Sequence, residues 1–292
     1  MKALWAFEPF HQDKTRVKGV YNLITQLVEF PSDISLGFIV TRTESKLNWA
    51  FKIPYKERFS VYPKKLTKEV LRKANISIED KKIHIVDFET SSNTKAVDRL
   101  LALAKLQGAD LITLYTHARK GFKRLVIGSF AETAIHRSKI NLLLVNPNTK
   151  FSDKIKNSFY ASDFSPESRG HLKEVIQICK ATKTSLTVFH VAQVIYKWSL
   201  DESNPEIHAY RKKVNKMEAW VEQECQNSEI KAEIIVKSEL RSIDDLFEKA
   251  VLKSKADLII VVAKSGKLTS LMGGSFTRQI VRSSTKPVLV LK

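Results

Sequence analysis

Two Gly-Ser-Phe blocks in the sequence contain residues suited to binding a phosphate. They occupy residues 128–130 and 274–276, and each precedes a segment whose apolar residues have helical spacing. Glycine and serine at a helix start offer unpaired backbone N–H groups, a hydroxyl and the positive end of the helix dipole. Lys264 and Lys267 precede the second block and could add positive charge. The alternative interpretations are simple helix capping for the blocks and solvated loop charges for the lysines.

Asp163 could complete such a site in the second half of the chain. It lies in the run Ser162-Asp163-Phe164-Ser165, directly after an apolar segment, and its carboxylate can accept hydrogen bonds from ribose hydroxyls or an adenine amine. Turn and capping chemistry is the competing interpretation of the same residue. His190 ends another apolar run and is expected to be a hydrogen-bonded core histidine. Since no arrangement of nucleophile and base, paired carboxylates or metal ligands emerges, binding is favoured over catalysis.

The elements that must position these residues occur twice in the chain. Residues 108–145 and 255–291 both begin with Ala-Asp-Leu-Ile, pass through a basic loop, restart at Gly-Ser-Phe and end on an apolar run. The copies lie 146 to 147 residues apart, a period that corresponds to a whole domain. Turn-forming residues at 146–150 separate them. The sequence therefore predicts two domains of one fold, residues 1–148 and residues 149–292.

Strands and helices alternate in each predicted domain. This order favours the α/β class, with two tandem, doubly wound, five-stranded parallel-sheet domains of Rossmann-like form. Ligands of such sheets bind at the carboxyl ends of the strands. The predicted strands are 3–7, 35–40, 82–87, 111–114, 141–145, 156–162, 186–191, 230–236, 258–262 and 288–291, and the predicted helices are 14–29, 66–75, 97–107, 130–137, 166–179, 205–226, 243–253 and 275–282.

Composition narrows the class of protein. An apolar fraction of 43% and a charged fraction of 27% are ordinary for a globular chain and exclude a disordered or collagen-like one. The net charge of +18 favours a polyanionic binding partner, such as a nucleotide, a nucleic acid or an anionic membrane surface. Cys179 and Cys225 stand outside any zinc or disulfide pattern. Without a signal sequence or an apolar run of membrane-spanning length, a cytoplasmic protein with no transmembrane segment is expected.

Two stretches of the sequence resemble the universal stress protein family. THARKGFKRLVIGSFAE in the first half is similar to the family's nucleotide loop, and ASDFSPESRGHL in the second half is similar to its first strand-to-helix turn. The resemblance covers the chain twice and implies a tandem member with adenine nucleotide alpha hydrolase-like domains. It further implies binding of ATP, with or without Mg²⁺, and a role as a stress-response regulator or sensor acting on a protein partner. Homodimers, pairing of the two final strands within one chain, and slow ATP hydrolysis or autophosphorylation at Ser275 also belong to this expectation.

The two halves depart differently from the family's loop pattern, G-x-x-G-x9-G-[ST]. In the first half, Tyr115 and Ala118 occupy the positions of two loop glycines, and Glu8 stands where the family has aspartate. A tyrosine side chain at a position of close backbone approach would occlude phosphates, so this domain is interpreted as degenerate.

In the second half the same two glycines fall on Val261 and Lys264 in one register, or on Val262 and Ser265 in the other. The second domain still matches the family at its first strand-to-helix turn, at Val191 and at the Gly-Ser pair. It is therefore the candidate nucleotide-binding domain. Its expected ligand-binding residues are Ser162, Asp163, Val191, Lys264, Ser265, Gly274, Ser275 and Phe276.

Two other functions stay open. Loss of the loop glycines in both halves favours a nucleotide-free scaffold, in which both sites are vestiges and the fold presents interaction surfaces. A weaker interpretation assigns the net charge to binding of RNA, DNA or a membrane surface, although nucleic acid is not expected as a partner. It favours the first 150 residues, which contain 26 Lys and Arg against 14 Asp and Glu. The basic, aromatic-rich stretch 55–65 could bind nucleic acid, but it is interpreted as a mobile solvated insert.

Overall fold

The computed structural model describes residues 1–10, 13–40, 61–87, 92–116, 129–191, 205–237, 243–263, 280–281 and 284–292. Their contacts form two compact units. The first unit contains residues 1–154 together with residues 263–292, and the second contains residues 155–262. Each unit is an α/β layer structure, as the alternating sequence pattern predicts.

Strands of the first unit form a sheet in the order β3-β2-β1-β4-β5-β10. All described neighbours are parallel except the last pair. The apolar runs in β4 and β5 are buried almost throughout, as expected for a parallel sheet covered on both faces. The strands are β1 (Ala3–Ala6), β2 (Ile34–Val40), β3 (Ile83–Asp87), β4 (Leu111–Tyr115), β5 (Asn141–Val145) and β10 (Val288–Leu291).

Helices connect these strands, and one of them begins earlier in the chain than the sequence predicts. The helices are α1 (Lys14–Thr25), α2 (Val61–Lys73), α3 (Asn93–Leu106) and α4 (Ser129–Arg137). Residues 61–65, expected to belong to a mobile solvated insert, instead form the first turn of α2. Val61 and Lys65 are exposed there, whereas Pro63 is buried. Residues 55–60 lie outside the described residues. Proline is tolerated in a first helical turn, and Pro63, Thr67 and Leu71 bury one face of the helix at four-residue spacing.

The last strand of the chain completes the first unit. β10 runs antiparallel to β5, with Leu289 opposite Leu143. Beyond the ladder, the Asn146 side-chain amide donates to Ser284 O at 2.5 Å, and the Lys292 N–H donates to Asn141 Oδ1 at 2.9 Å. We call residues 1–148 the first repeat and residues 149–292 the second repeat. The final strands of the two repeats, β5 and β10, pair with each other, as the family resemblance led us to expect.

The second unit has the parallel strand order β9-β6-β7-β8. Its core includes a cluster of three aromatic rings, Phe159, Phe189 and Phe247, with centroids 5.5 to 6.0 Å apart. Within the described ranges of the whole chain, no helix has the length and apolarity to cross a membrane. The elements of the second unit are β6 (Asn157–Ala161), α5 (Pro166–Thr182), β7 (Ser185–Val191), α6 (Pro205–Asn227), β8 (Ala232–Lys237), α7 (Ile243–Lys253) and β9 (Leu258–Val262).

The order of these strands indicates where a sheet of this class is expected to bind a ligand. The chain moves from β6 to β7 and β8 on one side, and β9 is added on the other side of β6. The strand order therefore reverses at β6, and the crevice of a doubly wound sheet opens beyond the carboxyl end of such a strand. Residues 162–165 lie at this point, between the end of β6 and the start of α5.

Candidate functional site

The turn after β6 is fixed to the end of β7 by backbone hydrogen bonds. The Ser162 N–H donates to Phe189 O at 2.9 Å, which continues the parallel ladder by one residue. In return, Nδ1 of His190 lies 2.9 Å from Ser162 O. Since a carbonyl oxygen only accepts, Nδ1 of His190 carries the hydrogen of this bond. The turn and the strand end thus form one connected edge.

Asp163 lies at the tip of this turn and is exposed. Its Oδ1 accepts hydrogen bonds from the Ser165 N–H at 2.9 Å and from the Ser168 hydroxyl at 2.5 Å. Partial burial raises the pKa of Asp163, but the hydrogen bonds from Ser168 and Ser165 outweigh it, so that the pKa lies below the usual value. At neutral pH the turn therefore presents an ionised carboxylate in a fixed orientation.

The start of α5 matches its sequence prediction. Ser165 is the N-cap residue, its hydroxyl accepts from the Ser168 N–H at 3.3 Å, and Pro166 is the first helical residue. Tyr160 of β6 also supports this helix start, because its hydroxyl donates a hydrogen bond to Ser168 O at 2.7 Å. Burial raises the pKa of Tyr160 to about 12, so the phenol remains a donor at all physiological pH values.

The buried rings of Phe164 and His190 pack against each other beneath the turn and the end of β7. The two rings stack with centroids 4.4 Å apart and planes 25° apart, and both side chains are buried. Phe164 adopts a left-handed backbone conformation with φ of 53°, which is unfavourable for a bulky residue. The stacking and the bond from the Phe164 N–H to Ser162 Oγ, at 3.1 Å, hold it there. Strain of this kind often accompanies binding sites.

His190 is expected to make the second unit less stable in acid. Burial lowers its pKa from the usual 6.5, against the Ser162 bond and the Asp163 charge, so the unfolded chain takes up a proton at a higher pH than the folded chain does. Stability is therefore lost as the pH falls below 6.5, by at most about 1.4 kcal/mol per pH unit.

Urea unfolding between about pH 7.5 and pH 5, compared with His190→Asn, measures this effect. The asparagine amide can still donate to Ser162 O but does not titrate, so the variant should lose less stability on acidification. Equal losses in the two proteins would show that His190 has no such role.

Three of the residues expected from the sequence come together at this edge. Ser162 and Asp163 lie in the turn after β6, and Val191, half-buried, ends the neighbouring strand β7. The other five, Lys264, Ser265, Gly274, Ser275 and Phe276, lie outside the described residues. Sequence reasoning missed the contributions of Phe164, Ser168 and Tyr160. The spacing of Asp163, Ser165 and Ser168 was a usable signal, because short polar side chains before a helix commonly bond one another and the backbone.

The corresponding edge of the first unit is arranged differently. Arg16, from the first turn of α1, donates to the hydroxyl of Tyr115 and, at 2.6 Å, to Pro147 O. Its guanidinium therefore connects the ends of β4 and β5. Burial raises the pKa of Tyr115, with the Arg16 charge opposing it. A bulky, hydrogen-bonded phenol thus occupies the position where the family resemblance places a glycine.

Glu8 marks the end of β1 in the first unit. Its Oε1 accepts from the Phe10 N–H at 2.6 Å, whereas its Oε2 is buried and has no hydrogen-bond partner among the described residues. The carboxylate is therefore partly turned back onto its own loop. This contrasts with Asp163, whose side chain is exposed at the tip of its turn.

Comparison with known proteins gives a family and a fold. The model of the universal stress protein family matches residues 57–146 and 155–292. A universal stress protein from Archaeoglobus fulgidus superimposes with a TM-score of 0.65 and 16% identity, covering 99% of this chain and 98% of that one. A putative universal stress protein from Pseudomonas aeruginosa gives a TM-score of 0.63 and 15% identity, covering 100% and 93%. Among curated protein sequences no match is found.

Proposed function

Because the chain belongs to the universal stress protein family, we propose that its second repeat binds an adenine nucleotide, with ATP as the expected ligand. The turn after β6 carries this proposal. It holds an ionised, exposed carboxylate at the point where the strand order reverses, which is where doubly wound sheets bind nucleotides. The nucleotide state regulates a protein partner in the stress response.

Each expected site residue has a proposed role. The Asp163 carboxylate accepts hydrogen bonds from the ribose hydroxyls or the adenine amine, and the Ser162 and Val191 region forms the adjoining wall. From the sequence alone, Gly274, Ser275 and Lys264 are expected to bind the phosphates, by backbone N–H groups and side-chain charge. Mg²⁺ would accompany the phosphates as a counter-ion.

The first repeat is proposed to bind no nucleotide. The contact of Arg16 with Tyr115 and Pro147 supports this, since the two side chains fill space at the ends of β4 and β5. Opening the edge for phosphates would break both of the hydrogen bonds that Arg16 makes there. The first repeat then serves as a structural partner of the second.

Titration of the full chain with radiolabelled ATP tests the proposal. The wild type is expected to bind saturably, and Gly274→Val is expected to abolish binding, because a branched side chain would block close approach of the phosphates. Mass spectrometry of the gently purified protein should also find a retained adenylate. A wild type that neither retains an adenylate nor binds ATP saturably would support the nucleotide-free scaffold instead.

A further inference from the structure

One exposed face of α6 carries a basic stripe. It is formed by residues that recur at three- and four-residue spacing and are all exposed, namely His208, Arg211, Lys212, Asn215, Lys216 and Ala219. Its three cations, Arg211, Lys212 and Lys216, lie within about 8 Å along the helix axis, at 1.5 Å per residue. Their long side chains can reach neighbouring phosphates of an extended nucleic acid strand.

The charges of α6 are unevenly distributed. Four cations, Arg211, Lys212, Lys213 and Lys216, lie within six consecutive residues; the acidic residues are Glu206 in the first turn and Glu218, Glu222 and Glu224 after the cations. The like charges of Lys212 and Lys216 repel each other at four-residue spacing. Positive potential is therefore concentrated in one stretch of the helix.

An aromatic groove continues the stripe. Met217 and Trp220 of α6, both half-buried, face Pro166, Arg169 and Gly170 of α5 across a cavity of about 520 Å³. Trp220 is one turn beyond Lys216, so the groove adjoins the cationic face. A Cβ added at Gly170 would meet nothing within 4 Å, which leaves this wall open. Nε of Arg169 is buried without a hydrogen-bond partner among the described residues.

We infer that the basic stripe and the aromatic groove together bind single-stranded nucleic acid. The stripe follows the phosphates, and the groove accepts an unpaired base on the Trp220 ring beside the Arg169 guanidinium. A row of cations ending at an aromatic ring is the arrangement by which proteins bind single strands with little sequence preference. An acidic peptide without aromatic side chains would match the stripe alone, since it has no planar ring for the groove. The charge count favoured the first repeat for such a partner, whereas this surface lies in the second.

Fluorescence anisotropy of the full chain with fluorescein-labelled oligo(dT) and oligo(U) tests the stripe. The triple variant R211Q/K212Q/K216Q is expected to bind at least tenfold more weakly at low salt. Its log–log salt slope should be shallower by about 2, because each phosphate contact of a single strand contributes about 0.7. The matched control K180Q/K183Q/K231Q removes three charges elsewhere in the same unit and should bind like the wild type. If both triple variants lost the same oligonucleotide affinity, the loss would reflect net charge alone, and the inference would be wrong.

Two further variants test the groove without changing charge. Trp220→Ala is expected to weaken binding about tenfold and Trp220→Phe to retain most of it. Gly170→Leu should weaken binding by filling the groove, and it raises helix propensity, so a folding defect is not expected.

Duplex DNA that binds as well as a single strand, or polyglutamate that competes as well as an oligonucleotide, would contradict the inference, as would no binding at all. The preference between oligo(dT) and oligo(U) distinguishes DNA from RNA as the natural ligand. Asp163→Asn should leave oligonucleotide binding unchanged, which separates this surface from the proposed ATP site.

Discussion

Replacing Asp163 by Asn is expected to lower the affinity of the chain for ATP by about 10- to 100-fold, the range expected for loss of a hydrogen bond to a charged group. The asparagine oxygen can keep the bonds from the Ser165 N–H and the Ser168 hydroxyl, so the turn is preserved. The amide NH₂ then replaces the second carboxylate oxygen. Opposite an adenine amine it would place a donor where an acceptor is needed, and opposite a ribose hydroxyl it would replace a bond to a charged group by a weaker neutral one. Equilibrium ATP binding measures the loss.

Glu8→Gln is the matched control for this prediction. It makes the same chemical change at the end of β1 in the first unit, where the proposal places no nucleotide. ATP affinity of this variant should equal that of the wild type. If Glu8→Gln weakened ATP binding and Asp163→Asn did not, the assignment of the site to the second repeat would be wrong.

Replacing Leu289 by Asp is expected to destabilise the first unit by about 4 kcal/mol or more, because an unpaired carboxylate would enter a fully apolar environment. Leu289 is 1% exposed in the middle of β10, opposite Leu143 of β5. Although it is the fourth residue from the end of the sequence, it lies in the core of a unit built mainly from the first half. Hydrogen exchange with mass spectrometry, which reports each strand separately, should show lost protection in β4 and β5.

Thr285→Asp provides the comparison for Leu289→Asp. Thr285 is exposed in the same terminal segment, and only its backbone oxygen bonds to Lys150. The same new charge there should change stability by no more than about 0.5 kcal/mol. Similar exchange in the wild type and in Leu289→Asp would mean that β10 does not support the first unit.

Local signals in the sequence predicted much of the fold. The Ser165-Pro166 start of α5 was confirmed, because capping depends on a few adjacent residues. The helix α2 was predicted only from residue 66, since the preceding stretch, rich in lysine and aromatic residues, has no clear apolar period. Pairing of β10 with β5 depends on residues far apart in the chain. Two apolar runs indicate burial but do not specify a partner, and only the family resemblance suggested one.

Some features of the candidate site were likewise predictable from the sequence, and others were not. Residue types and their position after a strand were enough to select Ser162 and Asp163 and to interpret His190 as a satisfied core histidine, which its bond to Ser162 O supports. The stack of Phe164 on His190 could not be predicted, because it depends on a left-handed backbone conformation that a phenylalanine seldom adopts. Tertiary packing, rather than local preference, determines that geometry.

A crystal structure of the chain with ATP is the most direct test of the central claim, that the second repeat binds an adenine nucleotide at the edge of β6 and β7. Nucleotide density is expected within hydrogen-bonding distance of Asp163, with none beside Glu8 and Tyr115. Density in the first repeat instead, or an unoccupied second repeat at saturating ATP, would contradict the account.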